Sequence, residues 1–159
     1  MLSKFKQFET IARKAHSFDE RAEQAGQVLH PFDQRNIHPR LQPLVKTLFD
    51  DGHYAQATFE AFKFVDKEVQ RFSGISESGY KLFMRAFAEN TPVILLTKMS
   101  NASEKDEQEG FKFIFSGSAL AIRNPRGHEY GIKDDPDKCL DHLSLASMLL
   151  RRLDEAGYK

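Results

Sequence analysis

Apolar residues recur along this chain at steps of three and four, the spacing of one helix face. Phe5, Phe8, Ile11, Ala15, Phe18, Ala22 and Ala25 follow it near the start, which predicts an amphipathic helix ending near Gly26. "HPFDQRNIHP" then carries two prolines and no period, so residues 30–39 read as a connector. "LQPLVKTLFDDG" predicts a short helix stopped at Asp51-Gly52. A long helix follows, from about Tyr54 to Phe72. At roughly 100° per residue, Tyr54, Ala57, Ala61, Phe62, Phe64, Val65, Val69 and Phe72 share one broad arc. Gln56, Glu60, Lys63, Lys67 and Gln70 occupy the other, with Glu60 and Lys63 as a surface ion pair. Phe59 sits among these polar residues, either an incidental exposed ring or a contact for a second subunit.

"SGYKLFMRAFAEN" predicts another helix, with Tyr80, Phe83, Met84 and Phe87 on one side. Residues 90–103 read as a loop holding a brief apolar patch. In "EKDEQEGFKFIFSGSALAIRN" the leading acidic residues suit a helix N-terminus. Phe111, Ile114, Phe115, Ser118, Ala121 and Ile122 follow at helical steps, and Gly117 with its serine neighbours allows another helix to approach closely. "DDPDKCLDHLSLASMLLRRLDEAG" predicts a final helix with Pro136 in its first turn and Gly157 past its end. Leu140, Leu143, Leu150 and Leu153 face inward. No segment alternates with period two. The expected architecture is all-α: an antiparallel bundle of four to five helices over residues 37–159, behind an N-terminal helical arm and connector at 1–36.

Composition narrows the function. The chain has 159 residues, 40% hydrophobic, enough for one core. Its 23 basic and 23 acidic side chains cancel, which excludes coating long nucleic acid by charge alone and leaves only a local basic pocket for RNA. Cys139 is the single cysteine, so neither an intrachain disulfide nor a cysteine metal cluster can form, and no nucleophile motif surrounds it. The first residues lack a signal-peptide core, and no apolar run approaches the roughly 18 residues of a membrane span. A cytoplasmic protein is expected. There is no Gly-rich phosphate loop and no Glu-x-x-His motif, so no cofactor and no metal are expected.

The chemistry concentrates in "LAIRNPRGHEY", residues 120–130. Pro125 cannot donate a backbone hydrogen bond, and it pushes Asn124 away from helical geometry. The helix is therefore expected to break there, letting Arg123, Asn124 and His128 converge on one pocket. Histidine transfers protons near neutral pH, with an ordinary pKa of roughly 6.5. Arginine presents a planar fork matched to phosphate oxygens. RNA supplies its own nucleophile, the 2′-hydroxyl, so a base and a cation that stabilises the phosphorane suffice for cleavage. Arg126 adds positive potential for the substrate backbone. Alternatively, the arginines and His128 simply cap the last carbonyls of the helix. His53, after "DDG", is a candidate substrate contact or a turn residue. His142 reads as a structural or surface histidine. Arg151 and Arg152 read as complements to a helix dipole.

"IHPRL", "LFDDGHYAQATFEAFK", "GFKFIFSGSALAIRNPRGHE" and "LSLASMLLRRLDEA" together resemble the Ymh family, a bacterial and phage-associated group within the HEPN superfamily of helical-bundle proteins. The resemblance runs from about Ile37 onward. It implies an Arg–polar–x–x–x–His signature at Arg123, Asn124 and His128. It also implies a metal-independent endoribonuclease that works as a homodimer with both signatures in one cleft and leaves a cyclic phosphate. A toxin or anti-phage role, with an antitoxin or other defence protein as partner, comes with it. The rival expectation is a non-catalytic module of the same fold that binds a nucleotide, RNA or a protein.

Overall fold

A twenty-residue helix lies at the centre of the domain, and its apolar arc organises everything around it. The computed structural model describes residues 29–129 and 131–159; the helix expected between Phe5 and Gly26 lies outside them. The chain divides into two units, Met1–Gln34 and Arg35–Lys159. The described part of the first holds one helical turn, α1 (Pro31–Gln34), in which the Asp33 and Gln34 amides donate to the His30 carbonyl.

The second unit contains α2 (Gln42–Asp50), α3 (Tyr54–Ser73), α4 (Gly79–Ala86) and α5 (Ala102–Ser118). A π-helical segment (Ala119–Arg123), α6 (Asn124–His128) and α7 (Pro136–Glu155) follow. Among the described residues all regular structure is helical, and no helix is long and apolar enough to cross a membrane. The boundaries have local causes. Gly74 takes φ 68°, the left-handed conformation that ends α3 without a Cβ clash. Asn101 accepts the Glu104 amide at 2.9 Å, and the Glu104 carboxylate reaches back to the Ser100 amide. Asp135 accepts the Lys138 amide at 2.8 Å, ahead of Pro136 in the first turn of α7.

Ala57, Ala61, Phe62, Val65 and Val69 of α3 are buried against Leu143, Ala146, Leu149, Leu150 and Leu153 of α7 and their neighbours. Thr58 neighbours Cys139 near one end, and Phe72 packs edge-on against Tyr158 just past the other, so α3 and α7 run in the same direction. The α5–α6 arm runs against α3, with Asp66 beside Arg123 and Phe59 beside Gly127. Successive long helices thus alternate in direction.

The residues that recur at helical steps along α5 and the π-helical segment do not share one buried face. Phe115 and Ser118 are buried, but Ile114 and Ala121 are exposed. Gln108 and Lys112 take interior positions instead. The reason lies in the loop before the helix. Ile94 and Leu96 enter the core, and their backbone groups need partners there. Gln108 supplies both: its Oε1 accepts from the Leu96 amide at 2.8 Å, and its Nε2 donates to the Ile94 carbonyl at 2.9 Å. A helix rotated to place Gln108 inside leaves Phe113, Ile114 and Leu120 outside. On α4, Tyr80 is likewise exposed, while Leu82, Phe83 and Ala86 are buried.

Phe115 is fully buried between Phe83 and Phe87, at ring-centroid distances of 5.4 and 4.7 Å. Phe115→Ala removes that contact and leaves a void, so urea denaturation should show a loss of about 3–5 kcal/mol. An unchanged midpoint would mean that this cluster does not hold α4 to α5.

Candidate functional site

Pro125 does not break the helix. Asn124 keeps helical dihedrals (φ −61°, ψ −44°), and the helical path continues to His128 before Glu129 turns extended. The expected kink is replaced by a change of hydrogen-bond register. Across Ala119–Arg123 the turn widens, and the Asn124 amide donates to the Ala119 carbonyl, five residues back. This shift places Pro125 in the first turn of α6, where its missing donor costs nothing.

Arg123 projects from the widened turn toward α3. Its Nη2 lies 3.4 Å from Asp66 Oδ2, and its Nη1 donates to Asn124 Oδ1 at 3.3 Å. Asp66 Oδ2 also accepts the Gly79 amide at 2.9 Å, which brings the start of α4 into the same cluster. Gly79 has φ 58°, and a Cβ there would sit 3.4 Å from Arg123 Nη1. Glycine is needed for the backbone conformation, while a Cβ would only reach ordinary contact distance from the guanidinium. Arg123 retains 21% side-chain exposure, whereas Asp66 retains 3%. Burial pushes the Asp66 carboxyl above its ordinary range, and the opposing pull of Arg123 and the Gly79 amide does not cancel it.

Arg126 behaves otherwise. Its Nε and Nη2 grip the Asp134 carboxylate at 2.6 and 2.8 Å, and its Nη1 donates to the Ile122 carbonyl at 2.6 Å. Lys138 adds a third contact to Asp134 at 3.1 Å. The Arg126 and Asp134 side chains are 5% and 0% exposed. Burial raises the Asp134 pKa, but the bonds and charges of Arg126 and Lys138 outweigh it and hold the carboxyl below its usual range. Arg126 is thus a clamp holding Asp134 and the chain before α7 onto the widened helix, not an open cation for a substrate backbone; its charge is already matched. His142 Nδ1 lies 3.4 Å from Arg126 Nη2. Burial first, then the adjacent guanidinium, lowers the His142 pKa and favours the neutral ring.

His128 is exposed at the end of α6, and among the described residues no hydrogen bond or ion pair reaches it. Arg123 and Asn124 therefore meet, while His128 joins them only through the short helix they share. Gly127 brings that helix close to α3: a methyl group there would come within 2.8 Å of Phe59 Cε2. Phe59 is half-buried by this contact, which accounts for its place among polar residues. His53, exposed just before α3, lines a cleft of about 440 Å³ with Gly52, Gln56, Lys133 and Asp134. Asp134 connects that cleft to the Arg126 clamp.

Asp66, Gly79 and Asp134 were not singled out from the sequence. Asp66 had a detectable signal: at 100° per residue it borders Phe62 and Val69 at the edge of the α3 apolar arc, an unusual place for a carboxylate. Asp134 had none, since it lies in an irregular loop.

The model of a family described as a protein of unknown function, Hypoth_ymh, matches residues 35–153. No curated protein and no solved structure matches the chain.

Arg126→Leu leaves Asp134 with Lys138 alone and the Ile122 carbonyl without its guanidinium donor. Urea unfolding at neutral pH should show a loss of about 3 kcal/mol. Asp134→Asn should be destabilised as well, by an amount that depends on pH. The lowered native pKa makes the wild-type advantage complete above the ordinary value of 3.8, and acidification through the native value removes it. A pH-independent difference between the two proteins would show that the carboxylate charge does not hold the clamp.

Proposed function

The chain belongs to the Ymh family, and on that premise we propose that it is a metal-independent endoribonuclease of HEPN type, acting in a toxin or anti-phage setting. The observation that carries this reading is the pairing on one short helical segment of a partly exposed guanidinium, held from behind by Asp66 and Asn124, with an exposed imidazole that no side-chain hydrogen bond or ion pair reaches among the described residues. The first suits a phosphate; the second suits a proton in transit. In the proposed reaction His128 accepts the proton of an RNA 2′-hydroxyl as its oxygen attacks the adjacent phosphorus. Arg123 stabilises the phosphorane, and the bond to the 5′ oxygen breaks. That oxygen takes a proton from solvent, and a 2′,3′-cyclic phosphate remains. Asn124 steadies the guanidinium, and His53 lines a neighbouring cleft open to the substrate.

A homodimer completes the reading. Phe113, Ile114 and Leu120 are 55%, 40% and 51% exposed and lie on one face of the helix that ends in Arg123. Gly110 and Gly117 on the same face leave open space where side chains would stand, so a second helix can approach closely. Burying this stripe against a second copy removes apolar surface from water and brings two copies of the Arg123–His128 segment toward one groove.

The rival is a non-catalytic module that binds a nucleotide, RNA or a protein through the same surface. The internal pairing of Arg126, together with zero net charge, favours it, because that guanidinium is already matched and no net positive charge draws in a long substrate.

Purified protein incubated with total RNA in chelator should generate ends bearing cyclic phosphate. His128→Ala and Arg123→Ala should each slow this by about 10²-fold or more without altering the circular dichroism spectrum. Cleavage by His128→Ala at the native rate ends the ribonuclease reading, and its complete absence in the native protein favours the binding module. Leu120→Asp should shift sedimentation from dimer to monomer; a native protein that sediments as a monomer rules out the paired groove.

A further inference from the structure

Asp66 is expensive for the fold to keep. Its side chain is 3% exposed, and its Oδ1 is buried without a hydrogen-bond partner. Its Oδ2 is shared between the Gly79 amide at 2.9 Å and Arg123 Nη2 at 3.4 Å, the latter beyond ordinary hydrogen-bond length. The groups that face it are the Arg123 guanidinium from the widened turn, the Gly79 amide at the head of α4, and the Lys67 charge on its own helix. A carboxylate optimised for stability would be bidentate and fully bonded, as Asp134 is in the same domain. An asparagine at position 66 could accept from Gly79 equally well without a charge to bury. Arg123 is also incompletely bonded: its Nε is buried without a partner, and among the described residues Asp66 and Asn124 are the acceptors that contact its terminal nitrogens.

We propose that Asp66 is a positioning residue whose charge is retained to orient the Arg123 guanidinium, at a net cost to the stability of the fold. With Asp66 behind, Asn124 beside and Gly79 beneath, the guanidinium has one open edge and a set direction. That preorganisation separates a phosphate-stabilising arginine from a mobile surface charge. The catalytic consequence rests on the ribonuclease reading above; the effect on Arg123 mobility and on stability does not.

The stability consequence has a definite sign. Desolvation raises the native pKa of Asp66 above 3.8, so between those values the folded chain holds a proton that the unfolded chain has lost. Stability from this group therefore falls as pH rises through that window, and above it the ionised carboxylate remains a burden. Asp66→Asn resembles the protonated form. At pH 7 it should unfold at the same temperature as the native protein or a higher one. In the same variant, nitrogen-15 NMR should show faster rotation of the Arg123 guanidinium. In the native protein alone, that rotation should quicken as acidification protonates Asp66. RNA cleavage by Asp66→Asn should lose kcat by about 10²-fold with KM little changed.

A clear drop in the unfolding temperature of Asp66→Asn would make Asp66 an ordinary structural staple and overturn the proposal. So would guanidinium dynamics that are the same in native and variant proteins and insensitive to pH. If the native protein cuts no RNA but both the stability gain and the loosening of Arg123 are seen, the ribonuclease reading fails and the positioning role stands. If RNA is cut equally well by native and variant proteins, the enzyme stands and the positioning role fails.

Discussion

Pro125 has no amide hydrogen, and its ring occupies space that the carbonyl of Ala121 would fill in a regular helix. The long arm that begins at Ala102 must accommodate this obstacle while still lying against α3. A sharp break would detach everything beyond it. Widening one turn to the i→i+5 register keeps the axis continuous instead, with the Asn124 amide on the Ala119 carbonyl. The chemistry gathered around residues 123–128 follows from that solution. The extra residue in the turn rotates what comes after it, so that Arg123 faces α3 and the head of α4 and Arg126 faces the loop that leads to α7.

The two arginines then meet opposite fates for the same electrostatic reason. A guanidinium that leaves water needs a carboxylate and well-aimed bonds to offset its desolvation. Arg126 finds Asp134 in a bidentate pair with almost no exposure, supplemented by the Ile122 carbonyl, and becomes structural. Arg123 finds a more distant carboxylate and a side-chain amide, keeps an open edge, and remains available to a ligand. Gly79 and Gly127 permit these placements, one by taking the left-handed backbone that starts α4 beside the guanidinium and the other by letting α6 close onto the Phe59 ring.

The same logic shapes the outer surface. The loop carrying Ile94 and Leu96 enters the core and draws Gln108 inside to satisfy its backbone. That rotation turns Phe113, Ile114 and Leu120 toward solvent. An apolar stripe beside the Arg123–His128 segment is therefore a by-product of bonding a buried loop, and it offers a face on which a second helix can lie.

The helices themselves were legible in the chain. The three- and four-residue spacing located α3 and α7 almost to the residue, and Pro136 and Gly157 marked the ends of α7 through backbone geometry that other residues rarely adopt or cannot share. Arg123, Asn124 and His128 were visible as a chemical grouping because they lie within one short stretch of chain. Which guanidinium stays open was not visible, nor was the face that α5 buries. Both depend on partners supplied by other segments: Asp66 from α3, Asp134 from a loop, and the backbone of Ile94 and Leu96. Hydrophobic periodicity records which residues avoid water along a single helix. It carries no information about which polar groups must be satisfied across helices, and in this protein those distant bonds determined both the rotation of α5 and which arginine keeps an open edge.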